Sequence, residues 1–122
     1  MKKIYLLLSI ILIVGFDVSA RRQIDIHHNG QMPTHSEYYP PADMPEAVYY
    51  DSDEEEIIIE ADGFSSYYNV VIIRDTPYQT MISTQIGGYG DSIDISSLPG
   101  GNYTIVITSE YNNVFEGNFT IT

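Results

Sequence analysis

The sequence contains no cysteine and no tryptophan among its 122 residues. Without cysteine there is no disulfide framework, on which many small secreted domains depend, and no thiolate nucleophile or thiolate-bound metal. The fold must come from the burial of apolar side chains alone, which a chain of about 100 residues can achieve as one domain. The absence of tryptophan removes the largest aromatic face that a sandwich can offer to a sugar ring.

Basic side chains are also scarce. Five Lys or Arg stand against 17 Asp or Glu, which gives a formal net charge of −12 at pH 7. Such a charge repels phosphate backbones and anionic membrane surfaces, so it argues against nucleic-acid binding. The same field favours cations or a basic protein partner.

Long apolar runs are absent except at the start of the chain. Lys2-Lys3 precedes an apolar stretch over 4–14, and Val18-Ser19-Ala20 places small residues where a signal peptidase cleaves. The apolar run is too short for a membrane span and has the pattern of a secretory leader. We therefore expect a signal peptide over 1–20, cleavage after Ala20, and an extracytoplasmic protein, either periplasmic or secreted.

The rest of the chain divides into two parts of different composition. Residues 21–45 are polar and contain four of the six prolines and all three histidines. In this part, Arg22 to Ile26 alternates polar and apolar residues, which predicts a short strand followed by a Pro-rich linker. Residues 46–122 are the predicted folded domain.

Nearly every segment of this domain has the pattern of a strand. The predicted strands are 47–50, 57–61, 67–74, 79–86, 93–95, 103–108 and 115–121. No segment after the leader has a sustained helical period, so we expect an antiparallel immunoglobulin-like β-sandwich of about seven or eight strands. The apolar triplet at 57–59 is typical of a strand covered on both sides.

The turns and the core follow from the same patterns. Leu98-Pro99-Gly100-Gly101 fits a type II turn, Asn112-Asn113 fits a two-residue hairpin, and residues 87–90 fit a flexible loop. The core is expected to consist of the inward-facing apolar residues of the strands. These are Ile57, Ile59, Val70, Ile72, Ile82, Ile93, Ile95, Leu98, Tyr103, Ile105, Ile107, Phe115, Phe119 and Ile121.

Two stretches resemble a known family. They are Ile93-Asp94-Ile95-Ser96-Ser97-Leu98-Pro99-Gly100-Gly101-Asn102-Tyr103-Thr104-Ile105-Val106-Ile107-Thr108 and Phe115-Glu116-Gly117-Asn118-Phe119-Thr120-Ile121. They resemble small secreted bacterial immunoglobulin-like domains of domain-of-unknown-function family 3244, and more distantly type IX secretion C-terminal sorting domains. The resemblance implies an immunoglobulin-like sandwich in a Gram-negative envelope or secretome, without catalytic residues to carry over.

Two groups of residues have the chemistry of a metal ligand set. The acidic run over 51–56 is dense enough for calcium, but it lacks the EF-hand pattern, and consecutive strand residues point to opposite faces. His27 and His28, with His35 and Asp25 nearby, could bind zinc or copper, but adjacent strand residues diverge. We interpret both as surface segments and expect no metal site, while calcium binding at 51–56 stays open.

Tyrosine is abundant, with 11 residues and pairs at 38–39, 49–50 and 67–68. Exposed tyrosine rings can stack on sugars and are common at protein interfaces. In each pair, one ring is expected to pack inward while the other lies on the surface.

Enzymatic motifs are absent from the sequence. There is no Gly-x-Ser-x-Gly motif, no histidine follows His35, and residues 87–90 lack the helix and lysine of a phosphate loop. We therefore expect no catalytic residues and no cofactor. Two sequons, at 102–104 and 118–120, fall in predicted strands, and residues 91–93 are similar to a bacterial O-glycosylation site.

These observations predict a non-enzymatic binding or adhesion-type module whose partner is an unknown protein or glycan. Interaction would use an exposed sheet edge, the Tyr-rich face or the loop at 87–91. The Arg22 to Ile26 strand could also exchange between chains, because a long linker follows it. The alternatives are a carbohydrate-binding module and a secreted protease inhibitor.

Overall fold

The computed structural model describes residues 20–28 and 41–122, and the regular structure within them is entirely β-strand. The strands are β1 (Arg21–Gln23), β2 (Ile26–His28), β3 (Ala47–Asp51), β4 (Glu56–Glu60), β5 (Tyr67–Arg74), β6 (Gln79–Gly87), β7 (Gly90–Asp94), β8 (Gly101–Ser109) and β9 (Val114–Ile121). The predicted leader (except Ala20) and most of the predicted linker lie outside the described residues. In the described part of the chain, no helix has the length and apolarity needed to cross a membrane.

The strands form two antiparallel sheets packed face to face. One has the order β1-β3-β4-β7 and the other the order β2-β9-β8-β5-β6. The predicted all-β antiparallel sandwich is confirmed, although the described residues form nine strands. β5 lies between β8 and β6 in the larger sheet, and its run Val70-Val71-Ile72-Ile73 is β-branched throughout, which suits a pleated surface covered on one side.

The additional strands arise because the N-terminal segment is not one strand. β1 pairs with β3 in the smaller sheet, whereas β2 pairs with β9 in the larger one. The chain crosses between the sheets at Ile24, whose side chain is buried and whose N–H donates to the Val48 carbonyl at 2.7 Å. Gly117 permits this crossing, because a Cβ there would lie 2.8 Å from Cγ2 of Ile24. One open side of the sandwich is thereby closed.

Most of the predicted core is confirmed. Ile82, Leu98 and Ile121 are the exceptions, because they pack against the core but are only partly buried. Each of them lies at an edge or an end of the sandwich, where the opposite sheet covers less of the side chain. The core also contains residues that the pattern did not single out: Ile24, Val48, Tyr68 and Ile86.

β4 alternates instead of being covered on both sides. Ile57 and Ile59 are buried, whereas Ile58 is half-buried on the outer face between Glu56 and Glu60. The prediction of two-sided cover was wrong, because among the described residues no further layer packs on the outer face of the smaller sheet.

Three turns also differ from the prediction. A reversal closes at 95–98, where the Leu98 N–H donates to the Ile95 carbonyl at 3.0 Å, and the positive φ belongs to Gly101 (148°), not Gly100. The β8–β9 loop has four residues, 110–113, because the Ser109 carbonyl accepts the Asn112 N–H at 3.0 Å. Strands extend into the predicted flexible loop at 87–90, so only two residues separate β6 from β7.

The strand registers gather the connecting segments at two ends of the sandwich. Because Tyr67 pairs with Gly87, Tyr68 pairs with Ser109 and Ala47 pairs with Glu60, four segments share one end. These segments, 41–46, 61–66, 88–89 and 110–113, form what we call the upper end. The lower end carries the segments 52–55, 75–78 and 95–100.

Candidate functional site

The acidic run at 51–56 is a tight turn at the lower end. The buried Asp51 carboxylate accepts the N–H groups of Asp53 and Glu54, both at 3.0 Å, and Asp51 Oδ2 lies 3.7 Å from Arg21 Nε. The Asp51 carboxylate thus stabilises its own loop. Among residues 20–28 and 41–122, no three His, Cys, Asp or Glu side chains are grouped closely enough to hold a metal ion.

The two histidines of β2 do not converge. His27 is exposed, while the His28 ring lies 5.6 Å from the Phe115 ring, tilted by 42°. Adjacent strand residues point to opposite faces, as the sequence predicted. His35 lies outside the described residues, and exposed Asp25 follows the crossing at Ile24.

The tyrosine pairs divide roughly as expected. Tyr68 is fully buried and Tyr67 half-buried. Tyr50 packs against the core, with its ring 5.8 Å from that of Phe119, whereas the guanidinium of Arg21 lies 5.9 Å from the ring of Tyr49. The pair at 38–39 lies outside the described residues. No tyrosine of the two described pairs is exposed.

The exposed aromatic side chains are elsewhere. Among the described residues, four large hydrophobic side chains are exposed: Phe64 (56%), Tyr78 (78%), Tyr89 (80%) and Tyr111 (57%). Tyr78 is at the lower end, whereas Phe64, Tyr89 and Tyr111 come from three different loops of the upper end. We call these three residues the aromatic cluster.

The Phe64 and Tyr111 rings lie near each other, and the Tyr89 ring lies over Gly63, which precedes Phe64. The centroids of the Phe64 and Tyr111 rings are 5.9 Å apart. The Tyr89 ring covers Gly63, where a Cβ would lie 2.7 Å from it, and Gly63 also has a φ of 85° that favours glycine. The Gly63 N–H donates to the Gly88 carbonyl at 3.0 Å, which ties the loops of Phe64 and Tyr89 together.

A buried hydrogen-bond network holds the third loop. The buried carboxylate of Asp43 accepts the Ser109 hydroxyl on Oδ2, and Asn113 Nδ2 donates to both carboxylate oxygens at 3.0 and 2.9 Å. Ser109 Oγ in turn accepts the Tyr111 N–H at 3.2 Å, and the Tyr68 hydroxyl donates to the Asp43 carbonyl at 2.7 Å. The loop that presents Tyr111 is therefore fixed from below by buried polar contacts.

Carboxylates surround the aromatic cluster. Glu110 Oε1 accepts the Ser66 N–H at 2.8 Å, and Asp62 Oδ1 accepts the Phe64 N–H at 3.0 Å. The nearby Glu110 carboxylate raises the pKa of the Tyr111 hydroxyl. The four upper-end segments contain no Lys or Arg, and besides the buried Asp43 they carry three carboxylates, those of Glu46, Asp62 and Glu110. The upper end is therefore an acidic surface with exposed aromatic rings.

Two of the larger clefts among the described residues lie away from the upper end. One, of about 340 Å³, lies between Arg22, Tyr50 and Asn118, and it includes Ala20, which the predicted cleavage would remove. The other, of about 440 Å³, lies between β6 and β7 and is bordered by Ile82, Ile93 and Asp94. Neither cleft concentrates catalytic side chains.

The predicted modification motifs lie on strands. Asn102 and Asn118 are exposed on β8 and β9, and their amide oxygens accept the hydroxyls of Thr120 (2.8 Å) and Thr104 (3.0 Å). Ser92, in the motif at 91–93, is exposed on β7.

Comparison with known proteins supports the architecture. A crystal structure from Bacteroides vulgatus, of a domain-of-unknown-function family 3244 protein with an immunoglobulin-like β-sandwich fold, matches with a TM-score of 0.64 and 14% identity, covering 84% of this chain and 99% of that chain. The chain has an immunoglobulin-like fold. That neighbour belongs to the family whose motifs the stretches 93–108 and 115–121 resemble. No family model matches the sequence, and no curated protein matches it.

The sequence pointed to one member of the aromatic cluster and missed two. Tyr89 lies in the loop at 87–91 that the sequence analysis proposed for interaction. Phe64 directly follows the turn signal Asp62-Gly63, and Tyr111 directly precedes the turn signal Asn112-Asn113. An aromatic residue next to a turn was therefore the signal available in the sequence. The proximity of Phe64 and Tyr111 could not be seen in the sequence, because the hydrogen bonds that join their two loops connect residues 44 and 45 positions apart along the chain.

Proposed function

We propose that this chain is an exported, non-enzymatic binding module that recognises a partner through the aromatic cluster at its upper end. The carrying observation is the convergence of Phe64, Tyr89 and Tyr111, all more than half exposed, from three separate loops. Exposed aromatic residues on a rigid scaffold provide contact area at a low entropic cost and are enriched at interfaces.

The surroundings of the cluster favour a protein partner with cationic side chains. Tyrosine and phenylalanine rings attract Lys and Arg through their faces, and carboxylates such as those of Asp62 and Glu110 attract the same groups. The upper-end segments contain no basic residue that would compete for those contacts. Export, which the leader pattern predicts, is part of the proposal, and mature protein beginning at Arg21 is expected outside the cytoplasm.

A triple substitution, Phe64→Ser, Tyr89→Ser and Tyr111→Ser, tests the use of the cluster. Tagged exported chain is incubated with an envelope extract, and captured proteins are identified by mass spectrometry. Because aromatic residues are the usual hot spots, the triple variant should lose at least about 100-fold in affinity for the captured partner.

Tyr78→Ser is the matched control, because Tyr78 is 78% exposed and lies at the opposite end. The control should capture the partner as the wild type does. If Tyr78→Ser loses the partner while the triple variant keeps it, the aromatic cluster is not the binding surface.

A carbohydrate is the second candidate partner, since exposed tyrosine rings beside carboxylates also suit sugar recognition. A glycan array and melting temperatures with polysaccharides separate the two classes of partner. Binding of a glycan by the wild type and by Tyr78→Ser, but not by the triple variant, would assign the aromatic cluster to sugar instead of protein.

A further inference from the structure

The two outer faces of the sandwich differ sharply in charge. The register places four carboxylates on the outer face of the smaller sheet: that of Asp51, which is buried and lies beside Arg21, and those of Glu56, Glu60 and Asp94. On β5, β6 and β8, the residues that face outward opposite the buried rows carry no charge. They are Tyr67, Asn69, Val71, Ile73, Thr80, Ser83, Gln85, Asn102, Thr104, Val106 and Thr108. We call this second surface the neutral face.

The centre of the neutral face is apolar. Val71 pairs with Val106 on β8 and with Ser83 on β6, and Ile73 lies one step along β5. Val71, Ile73 and Val106 are half-buried and lie outside the core cluster, so they point away from the smaller sheet. An apolar centre depleted of charge and bordered by amides and hydroxyls has the anatomy of a protein interface.

The neutral face ends at a long strand edge without charge. β6 runs over nine residues, QTMISTQIG, and within the described residues it pairs only with β5. Two carboxylates adjoin the neutral face: Asp75 Oδ1 accepts the Thr104 hydroxyl at 2.8 Å, and Glu116 on β9 pairs with Val106. In a chain with 17 acidic residues, a surface of this extent without carboxylates is the exception.

We propose that the neutral face is the interface of a weak homodimer, in which two copies pack their larger sheets against each other. Two chains of net charge −12 repel each other wherever their carboxylates meet, and this arrangement keeps both acidic faces on the outside. A cationic partner would instead be drawn to the acidic face or to the aromatic cluster. A two-fold axis makes the same neutral patch complementary to itself.

The size of the face predicts a concentration-dependent dimer. Strands of eight or nine residues span about 26 Å, and three of them about 14 Å across, so the patch is smaller than the roughly 800 Å² per partner of a standard interface. Sedimentation equilibrium of the exported chain, from about 10 µM to 1 mM, should show a reversible monomer–dimer equilibrium.

Ser83→Lys tests the surface, with Ser92→Lys as a matched control. Both serines are exposed on strands and face outward, Ser83 on the neutral face and Ser92 on the acidic face. A lysine placed within the dimer interface should raise the dissociation constant of the dimer at least about tenfold for Ser83→Lys, whereas Ser92→Lys should leave it unchanged or lower it. Lys lowers the net negative charge in both variants, so overall repulsion cannot explain a loss of the dimer.

Val71→Lys and Ile58→Lys repeat the comparison at the half-buried centres of the two faces. Melting temperatures of all four variants establish that they are folded. A wild type that stays monomeric throughout the concentration range overturns the proposal. A dimer that both Ser83→Lys and Val71→Lys leave intact also overturns the proposal. Such a dimer would instead indicate exchange of residues 21–28 between chains.

Discussion

At the scale of single residues, Tyr68 and Asp43 connect the core to the upper end. Tyr68 lies near the start of β5, next to the upper end, and its ring is fully buried. Its hydroxyl donates a hydrogen bond to the carbonyl of Asp43, which is 25 residues away along the chain. Asp43 in turn holds Ser109 and Asn113 through its carboxylate. A hydroxyl, a carboxylate and an amide are buried together because each satisfies the others.

The ionisation of Tyr68 makes the stability of the protein depend on pH in the alkaline range. Burial, followed by the nearby carboxylates of Asp43 and Asp62, raises the pKa of the Tyr68 hydroxyl from 10.0 to about 12. The folded state therefore favours the neutral, protonated form of the Tyr68 hydroxyl. The stability contributed by this pKa difference is therefore complete below pH 10 and is lost as the pH rises through 12, when the unfolded chain ionises first.

Tyr68→Phe should separate the two effects of the hydroxyl on stability, its hydrogen bond to the Asp43 carbonyl and its ionisation at alkaline pH. At pH 8 we expect the free energy of unfolding to fall by about 1 kcal/mol, because one buried hydrogen bond is lost. Between pH 10 and 12, the wild type should lose stability more steeply than the variant, by up to about 1.4 kcal/mol per pH unit. Urea unfolding at several pH values measures both effects. Parallel curves for the two proteins would show that Tyr68 titrates normally in the folded state.

At the scale of elements, the phase of each strand follows from its sequence, while the ends of the strands depend on partners. β5 was predicted with its exact bounds, because four β-branched residues in succession dominate its pattern. The segment Arg22 to Ile26 was predicted as one strand, yet the strand divides because Ile24 enters the core and the chain changes sheets there. The location of that crossing depends on Val48 and Gly117, which are distant in sequence.

Ile105→Asp tests the phase of β8. Ile105 is fully buried between β5 and β9, so an aspartate there would bury an unpaired charge, and we expect the domain to be unfolded at 25 °C. Thr108→Asp is the control on the outward face of the same strand, with an expected cost within about 1 kcal/mol. Circular dichroism and thermal melting report the outcome. A cooperative transition at the wild-type temperature for Ile105→Asp would refute the assigned phase.

At the scale of the whole molecule, charge is separated by surface. The acidic outer face of the smaller sheet, the acidic upper end with its aromatic cluster, and the neutral face are three distinct surfaces on one sandwich. The composition alone gives a net charge of −12 but does not show which surfaces carry the carboxylates. Only the register shows that the carboxylates of β4 and β7 lie side by side, at Glu56 with Asp94.

This concentration of carboxylates should make the fold more stable in salt. Screening shortens the Debye length from about 30 Å at 0.01 M to about 8 Å at 0.15 M, which weakens repulsion between exposed carboxylates. We expect the free energy of unfolding to rise by about 1 kcal/mol over that range of sodium chloride, measured by urea unfolding of dilute protein. Glu60→Gln should show a weaker salt response, because it removes one carboxylate from the acidic face. Stability that falls with added salt would mean that attractive pairs outweigh the repulsion.

The sequence by itself determined the class of fold, most of the core and the facing of most strands, because alternation with a period of two reports directly which side chains are buried. It also determined the absence of disulfides and the net charge. Only the tertiary structure decided which loops meet, how the N-terminal segment closes the sandwich, and that Phe64, Tyr89 and Tyr111 share one surface. Those contacts join residues far apart in the chain, and their geometry is set by strand order and register, to which no local pattern is sensitive.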